Sequence, residues 1–254
     1  MTDPAGLGVA ITGGAGDIGS AIGAELARTG ARVCLIDAKP PETAEAWVGT
    51  AREHGEVTYA QADVRDRAAL DTVLAGLDPL DVAIAAAGIV RSAPFLDITG
   101  DDWRDHLDIN LTGAFNLTQG AARLMVQRGR GGRIVLVGSW VGDVPWPEIA
   151  AYSASKAGLQ MLARSAAREL ASHRILVNVL APGIVNAGLA RHQLETEPQY
   201  ARRVARVIPL EELQTPEQVA RAAAFLCSAG ADYMTGSTLL VDGGCSLFYY
   251  AEDE

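Results

Sequence analysis

The chain has 254 residues, with 31 acidic against 21 basic side chains and a formal net charge of −10. Hydrophobic residues make up 49% of it, enough for one large α/β core, and with aromatics at only 6% that core must be built mainly of Ala, Val, Leu and Ile. The basic stretches at 128–133 and 202–206 are short, which argues against a nucleic-acid groove or an anionic membrane surface as partner.

In chain order, short β-rich runs alternate with helical patterns. Strands are expected at residues 8–12, 32–36, 57–61, 82–86, 133–137, 176–181 and 238–241. Most are continuous apolar runs, the mark of a parallel sheet covered on both faces. Helices are expected at 18–29, 42–54, 67–75, 103–128, 151–172 and 216–228, with a polar, Arg/Glu-rich helical stretch at 189–207. No composition break or long linker divides the chain. The expectation is α/β: a single Rossmann-type doubly wound domain over 1–254, a seven-stranded parallel sheet with helices on both faces. A helical insertion at 186–214 and an aromatic and acidic tail at 245–254 complete it.

Two segments point to a dinucleotide. The first strand runs into Thr12-Gly-Gly-Ala-Gly-Asp-Ile-Gly19 and then a helix, so that backbone can approach a pyrophosphate whose charge meets the helix N-terminus. Gly14, Gly16 and Gly19 satisfy the general fingerprint, and Asp17 is expected to cap the helix. The second strand ends in Asp37, 18 residues after Gly19, where a carboxylate accepts from ribose hydroxyls and repels the 2′-phosphate of NADP. NAD is therefore expected in preference to NADP. No catalytic metal is expected, because Cys34, Cys227 and Cys245 lack ligand spacing.

Tyr152 and Lys156 stand four residues apart within one long helical pattern and so share a face. At ~4 Å and an effective dielectric of 20, an ammonium attracts a phenolate by about 4 kcal/mol. That would lower the phenol from its usual ~10 by roughly two to three pH units, giving a tyrosine able to exchange a proton near neutrality.

With these segments in place, the chain resembles the short-chain dehydrogenase/reductase family, and the likeness runs from Val9 to Gly244. Thr12, Gly13 and Gly19 match its glycine turn, with Asp17 in place of the middle glycine. The resemblance implies an adenine contact at Asp63-Val64 and nicotinamide contacts along Pro182, Gly183 and Val185. It implies catalytic roles for Asn110, Ser139, Tyr152 and Lys156, and cofactor contacts at Gly16, Ile18, Ala86, Gly88 and again Tyr152 and Lys156. Ala85 and Ala86 stand where side chains usually brace the sheet, and Ala187 where a threonine usually meets the carboxamide. The last-strand signature, from Tyr233 through Gly244, and the two long helices imply a homotetramer.

The substrate side reads from Ser139 through Trp140 to Trp146 and on to Tyr152. Pro145-Trp146-Pro147 is similar to bacterial glucose and aldose dehydrogenases, with Asp143 or Glu148 available to accept sugar hydroxyls. A sugar or polyol is weakly favoured over a hydrophobic secondary alcohol or ketone. A non-catalytic dinucleotide sensor is the reading from a different class. Arg91, Arg191 and His192 lie near enough in sequence to a pocket mouth to meet an anionic group. No secretory leader and no apolar run of membrane length is visible, so a cytoplasmic protein acting on a small molecule is expected.

Overall fold

The computed structural model describes residues 6–247. Seven strands, β1 (Gly8–Thr12), β2 (Arg32–Asp37), β3 (Val57–Gln61), β4 (Val82–Ala85), β5 (Gly132–Val137), β6 (Ile175–Pro182) and β7 (Thr238–Val241), form one parallel sheet in the order β3-β2-β1-β4-β5-β6-β7. β1 and β4 are wholly buried, whereas the edge strands β3 and β7 are only partly so. Alternate residues serve opposite faces, as the two-residue period of a strand requires.

On one face, Val9, Ile11, Val33, Leu35, Ile84 and Val135 pack against α1 (Asp17–Arg28), α2 (Pro41–Arg52) and, further along, α9 (Pro216–Cys227). On the other, Ala10, Cys34, Ile36, Ala83, Ile134 and Leu136 meet α3 (Arg67–Ala75), α5 (Gly113–Arg128) and α6 (Ala150–Leu170). The strand order reverses between β1 and β4, and at such a switch point the loops diverge to leave a crevice at the carboxyl ends. Helix starts are set by local chemistry: Asp66 accepts from Ala69 N–H at 3.0 Å, and Thr215 and Gln218 form a reciprocal capping box on α9.

Two expected helices are broken. The stretch expected at 103–128 is α4 (Gly100–His106), a π-helical turn (Leu107–Thr112) and α5. The widened turn carries Asn110, which is fully buried. The stretch expected at 189–207 is α7 (Gly188–Thr196) and α8 (Pro198–Val207). Pro198 disfavours helical backbone at Glu197, which is extended at φ −121°. These two helices cover a third cluster in which Trp140, Val141, Ile184, Val204, Val207 and Ile208 are buried. Most of the tail expected at 245–254 lies outside the described residues; Cys245–Leu247 forms a short 3-10 turn.

Leu35 joins the sheet to the glycine turn. It is fully buried, and a Cβ on Gly14 or Gly23 would come within 2.6 or 2.8 Å of its side chain. Leu35→Ala is expected to cost about 2–5 kcal/mol and to lower the thermal midpoint seen by circular dichroism; an unchanged midpoint would remove this site from the core.

Candidate active site

A cleft of about 630 Å³ opens along the carboxyl ends of the strands, a volume within the range of small-molecule and cofactor sites. Its first wall is the glycine turn. A Cβ on Gly13 would lie 2.6 Å from Ala87 N, and one on Gly19 would lie 2.1 Å from Gly13 O. Only glycines let the turn fold this tightly against β4. Ala86, which lacks a bracing side chain, is held instead through its backbone N–H, which donates to Thr12 O at 3.2 Å. Gly16 precedes α1 without a side-chain cap, so the first-turn N–H groups face a place where phosphate oxygens fit.

Asp17 departs from its expected role. It is the first residue of α1 and does not cap it; its carboxylate accepts from Trp47 Nε1 and Gly188 N–H, each at 3.2 Å. Asp37 lies where the sequence places it, at the tip of β2, with Oδ2 accepting from Ala15 N–H at 3.1 Å and Oδ1 from Lys39 N–H at 3.2 Å. The Lys39 ammonium donates to Ala15 O at 2.5 Å and lies 3.9 Å from the centroid of the Trp47 ring. This aspartate–lysine–tryptophan arrangement was not legible in sequence, since Trp47 looks like any helix residue. Asp63 and Val64 also line the cleft, but the Asp63 carboxylate is gripped by Arg65 at 2.6 to 3.1 Å, and that hydrogen bonding holds its pKa low.

At the other end, Ser139, Tyr152 and Lys156 converge. Ser139 lies two residues past the end of β5, its hydroxyl accepting from Val141 N–H at 3.4 Å, and it also hydrogen-bonds the Tyr152 phenol. Lys156, buried, donates to Val137 O at 2.8 Å, with its Nζ 5.4 Å from the Tyr152 ring centroid. Asn110 sits behind them: its Oδ1 accepts from Ile89 N–H at 2.8 Å, and its Nδ2 donates to Ile89 O and Ser155 Oγ, both at 3.0 Å. The Ser155 hydroxyl in turn donates to Tyr152 O at 2.6 Å. A Cβ on Gly88 would fall 3.3 Å from Asn110 Oδ1 and 3.7 Å from Lys156 Nζ, so this glycine leaves room for both. Apart from Asn110, the residues implied as catalytic or cofactor-contacting line the cleft, including Ile18, Pro182, Gly183 and Val185, and so do Trp140 and Trp146 on the substrate side.

The electrostatics differ from the simple pair attraction. Burial is the largest influence on both groups. It holds the Tyr152 phenol above its ordinary range, against the lowering effect of Ser139, and it lowers Lys156 to about 8. Tyr152 keeps partial exposure toward the cleft, yet the protein packed around it still dominates. The expected depression of the phenol is absent because the ammonium turns to a carbonyl and both groups are desolvated.

Around Tyr152 the lining is apolar and aromatic: Trp140, Val141, Trp146, Ile149, Ile184 and Tyr200. The two indoles meet edge to face at 5.3 Å. Asp143 accepts from Gln160 at 2.9 Å and Glu148 from Ser92 at 3.3 Å, and neither lines the cleft. Arg91 is paired to Asp102 and Asp105, and His192 is an exposed residue outside the lining. Among the described residues no cluster of His, Cys, Asp or Glu is arranged to hold a metal, and no helix is long and apolar enough to cross a membrane.

A sheet of this order with a glycine turn at its switch point defines an open α/β dinucleotide-binding fold. The family model described as enoyl-(acyl carrier protein) reductase matches residues 13–246, and the chain belongs to the short-chain dehydrogenase/reductase family of oxidoreductases. It is 34% identical over 250 residues to 2,3-dihydro-2,3-dihydroxybenzoate dehydrogenase of Bacillus subtilis, covering 93% of this chain and 95% of that one. A short-chain dehydrogenase from Mycobacterium paratuberculosis bound to NAD superposes with a TM-score of 0.86 at 31% identity, covering 97% of this chain and all (100%) of that one. A protein provisionally assigned as a 2-deoxy-D-gluconate 3-dehydrogenase from Agrobacterium tumefaciens, with bound NADP, superposes with a TM-score of 0.88 at 28% identity, covering 98% and 100%.

The lysine can be tested directly. The unfolded chain keeps the Lys156 proton up to about 10.5, whereas the folded chain releases it near 8. Between those values the unfolded state binds more protons, so this residue makes the fold more stable as pH rises and less stable as pH falls through 8. Lysine-selective NMR, assigned with Lys156→Met, should show a midpoint near 8, and the variant should flatten that part of the stability profile. A midpoint near 10.5 would show that burial leaves the ammonium unperturbed.

Proposed function

We propose that this protein is an NAD(H)-dependent oxidoreductase that interconverts a secondary alcohol and a ketone. The observation that carries the reading is the convergence of the Tyr152 phenol, the Ser139 hydroxyl and the buried Lys156 ammonium at one end of a cleft whose other end is a glycine turn. When bound, the nicotinamide supplies the hydride acceptor for oxidation or the donor for reduction. In reduction, the Tyr152 phenol gives its proton to the carbonyl oxygen as hydride reaches the carbonyl carbon, and oxidation runs the same path backwards from the phenolate. Ser139 hydrogen-bonds the reacting oxygen and steadies its charge. Lys156 would hold the nicotinamide ribose, while Asn110, through Ile89 and Ser155, keeps the floor of the site in register.

NAD is favoured over NADP because the Asp37 carboxylate occupies the tip of β2, where a 2′-phosphate would meet a like charge. For the substrate, the wall around Tyr152 supports a hydrophobic, ring-bearing secondary alcohol or ketone. None of the described residues between Trp140 and Tyr152 that line the cleft is charged, and the two carboxylates on which a sugar reading depended are tied elsewhere. A sugar or polyol remains the second reading, supported by the paired indoles, which offer faces for a pyranose to stack on, and by the gluconate-type neighbour. An NAD-linked panel of alicyclic and aryl alcohols, aldoses, polyols and hydroxy acids separates the two. Tyr152→Phe is expected to lose at least ~10²-fold in turnover while still binding NADH. Near-normal turnover in that variant would overturn the proton-transfer role, and NADH binding without turnover on any alcohol would favour a dinucleotide sensor.

We place the enzyme in the cytoplasm as a homotetramer. Large apolar side chains are exposed along α4, α5 and α6, among them Trp103, Phe115 and Met161, and along α9 and β7 at Phe225 and Leu240. Light scattering should report a mass of four chains, and Phe115→Glu with Met161→Glu should reduce it. A monomeric wild-type protein would exclude the assembly.

A further inference from the structure

Asp17, the side chain that replaces a glycine of the turn, is used in neither the proton transfer nor the choice of cofactor. Its two carboxylate oxygens reach in different directions. Oδ1 accepts from Trp47 Nε1 in α2 at 3.2 Å. Oδ2 accepts from Gly188 N–H at 3.2 Å and pairs with Arg191 Nη2, also at 3.2 Å. One side chain therefore joins α2, the start of α1 and the start of α7 across the mouth of the glycine turn.

Arg191 is oriented from its own side as well. Its Nη2 donates to Asn186 O at 2.6 Å and its Nε to Asn186 Oδ1 at 3.3 Å, while Nη1 makes no hydrogen bond among the described residues. The other cations near the turn are committed. Lys39 is turned onto Ala15 O and the Trp47 ring, and Arg65 onto Asp63. Without Arg191, the ionised group nearest the α1 N-terminus would be a lone carboxylate, which repels phosphate. With it, the pair is neutral and leaves one N–H edge of a guanidinium, the group whose planar fork suits phosphate oxygens.

We propose that Arg191 is a phosphate-binding residue for the dinucleotide and that Asp17 is the positioning residue that holds it at the glycine turn. The proposal rests on the dinucleotide reading above and adds a residue from α7 to it. Ala190, beside Arg191, lines the cleft, and Arg191 itself stands just outside the lining.

The test is titration of the full chain with NADH and with ADP-ribose, comparing the wild type with Arg191→Gln, Arg191→Lys, Asp17→Asn and the double variant Asp17→Asn/Arg191→Gln. Arg191→Gln should bind both ligands roughly tenfold more weakly and with a shallower dependence on salt concentration. Arg191→Lys should recover part of the loss and the salt dependence. Asp17→Asn should weaken binding as well, and the double variant should lose no more than the worse single one, because the two side chains act as one unit. Should Asp17→Asn fail to fold, Arg191→Gln, in an exposed position, carries the test alone. Unchanged ligand affinity in Arg191→Gln overturns the proposal, as does tighter binding in Asp17→Asn, which would make the carboxylate merely repulsive. A wild-type chain that binds neither NADH nor NADPH overturns the dinucleotide reading and this inference with it.

Discussion

The site depends on one close approach. Gly13 lies against the backbone of Ala86 and Ala87 so tightly that a single added carbon would sit 2.6 Å from an amide nitrogen. Gly19 is closer still to Gly13 O, at 2.1 Å for an added carbon, and Gly14 lies against Leu35. These contacts bring together the end of β1, the start of α1 and the loop after β4, which are otherwise separate. The loop after β4 then runs through Gly88 to Ile89, whose N–H and C=O are both held by Asn110. Asn110 is tied through Ser155 to the first turns of α6, which carry Tyr152 and Lys156. The glycine turn and the Tyr152–Lys156 pair are thus opposite ends of one chain of short contacts, and neither is placed independently of the other.

Much of this was legible in the residues. The continuous apolar strands separated by helices implied the parallel sheet, and its order follows from the switch point that such a pattern creates. The position of Asp37 was predictable because the second apolar run ends at it. The π-helical turn at Asn110 was not legible, because an extra residue in a helical turn leaves the apolar spacing nearly intact. Proline did signal the break between α7 and α8, but the Arg/Glu-rich pattern on both sides of Pro198 concealed it. The Tyr152–Lys156 spacing correctly placed both groups in one helix. It could not reveal that desolvation outweighs their attraction, since sequence shows neighbours along a helix and not what is packed over them. Asp17 was misread for a related reason: a carboxylate at a helix start usually caps it, and its true partners are 30 and 171 positions away.

The lining of the cleft is unevenly charged. Asp17, Asp37, Lys39, Asp63 and Arg65 all stand at the glycine-turn end, and Lys156 is the single ionised lining residue beside Tyr152. Burial and aromatic packing govern the second end, and backbone donors and paired ions the first. The second end is assembled from Trp140, Trp146 and Tyr200, which stand on the segments after β5 and β6.

This asymmetry bears on the handedness of the product. For a dinucleotide of the kind proposed, the direction that sets its anionic middle at the glycine turn is favoured over the one that sets it against Trp140 and Trp146. In the proposed reaction the phenol of Tyr152 and the hydroxyl of Ser139, hydrogen-bonded to each other, would hold the reacting oxygen at one place. With the oxygen held at one place and the ligand running one way, the carbonyl carbon presents a single face. For the reaction proposed, the chirality of the alcohol is decided by the placement of charge along the cleft, some distance from the carbon that becomes the stereocentre.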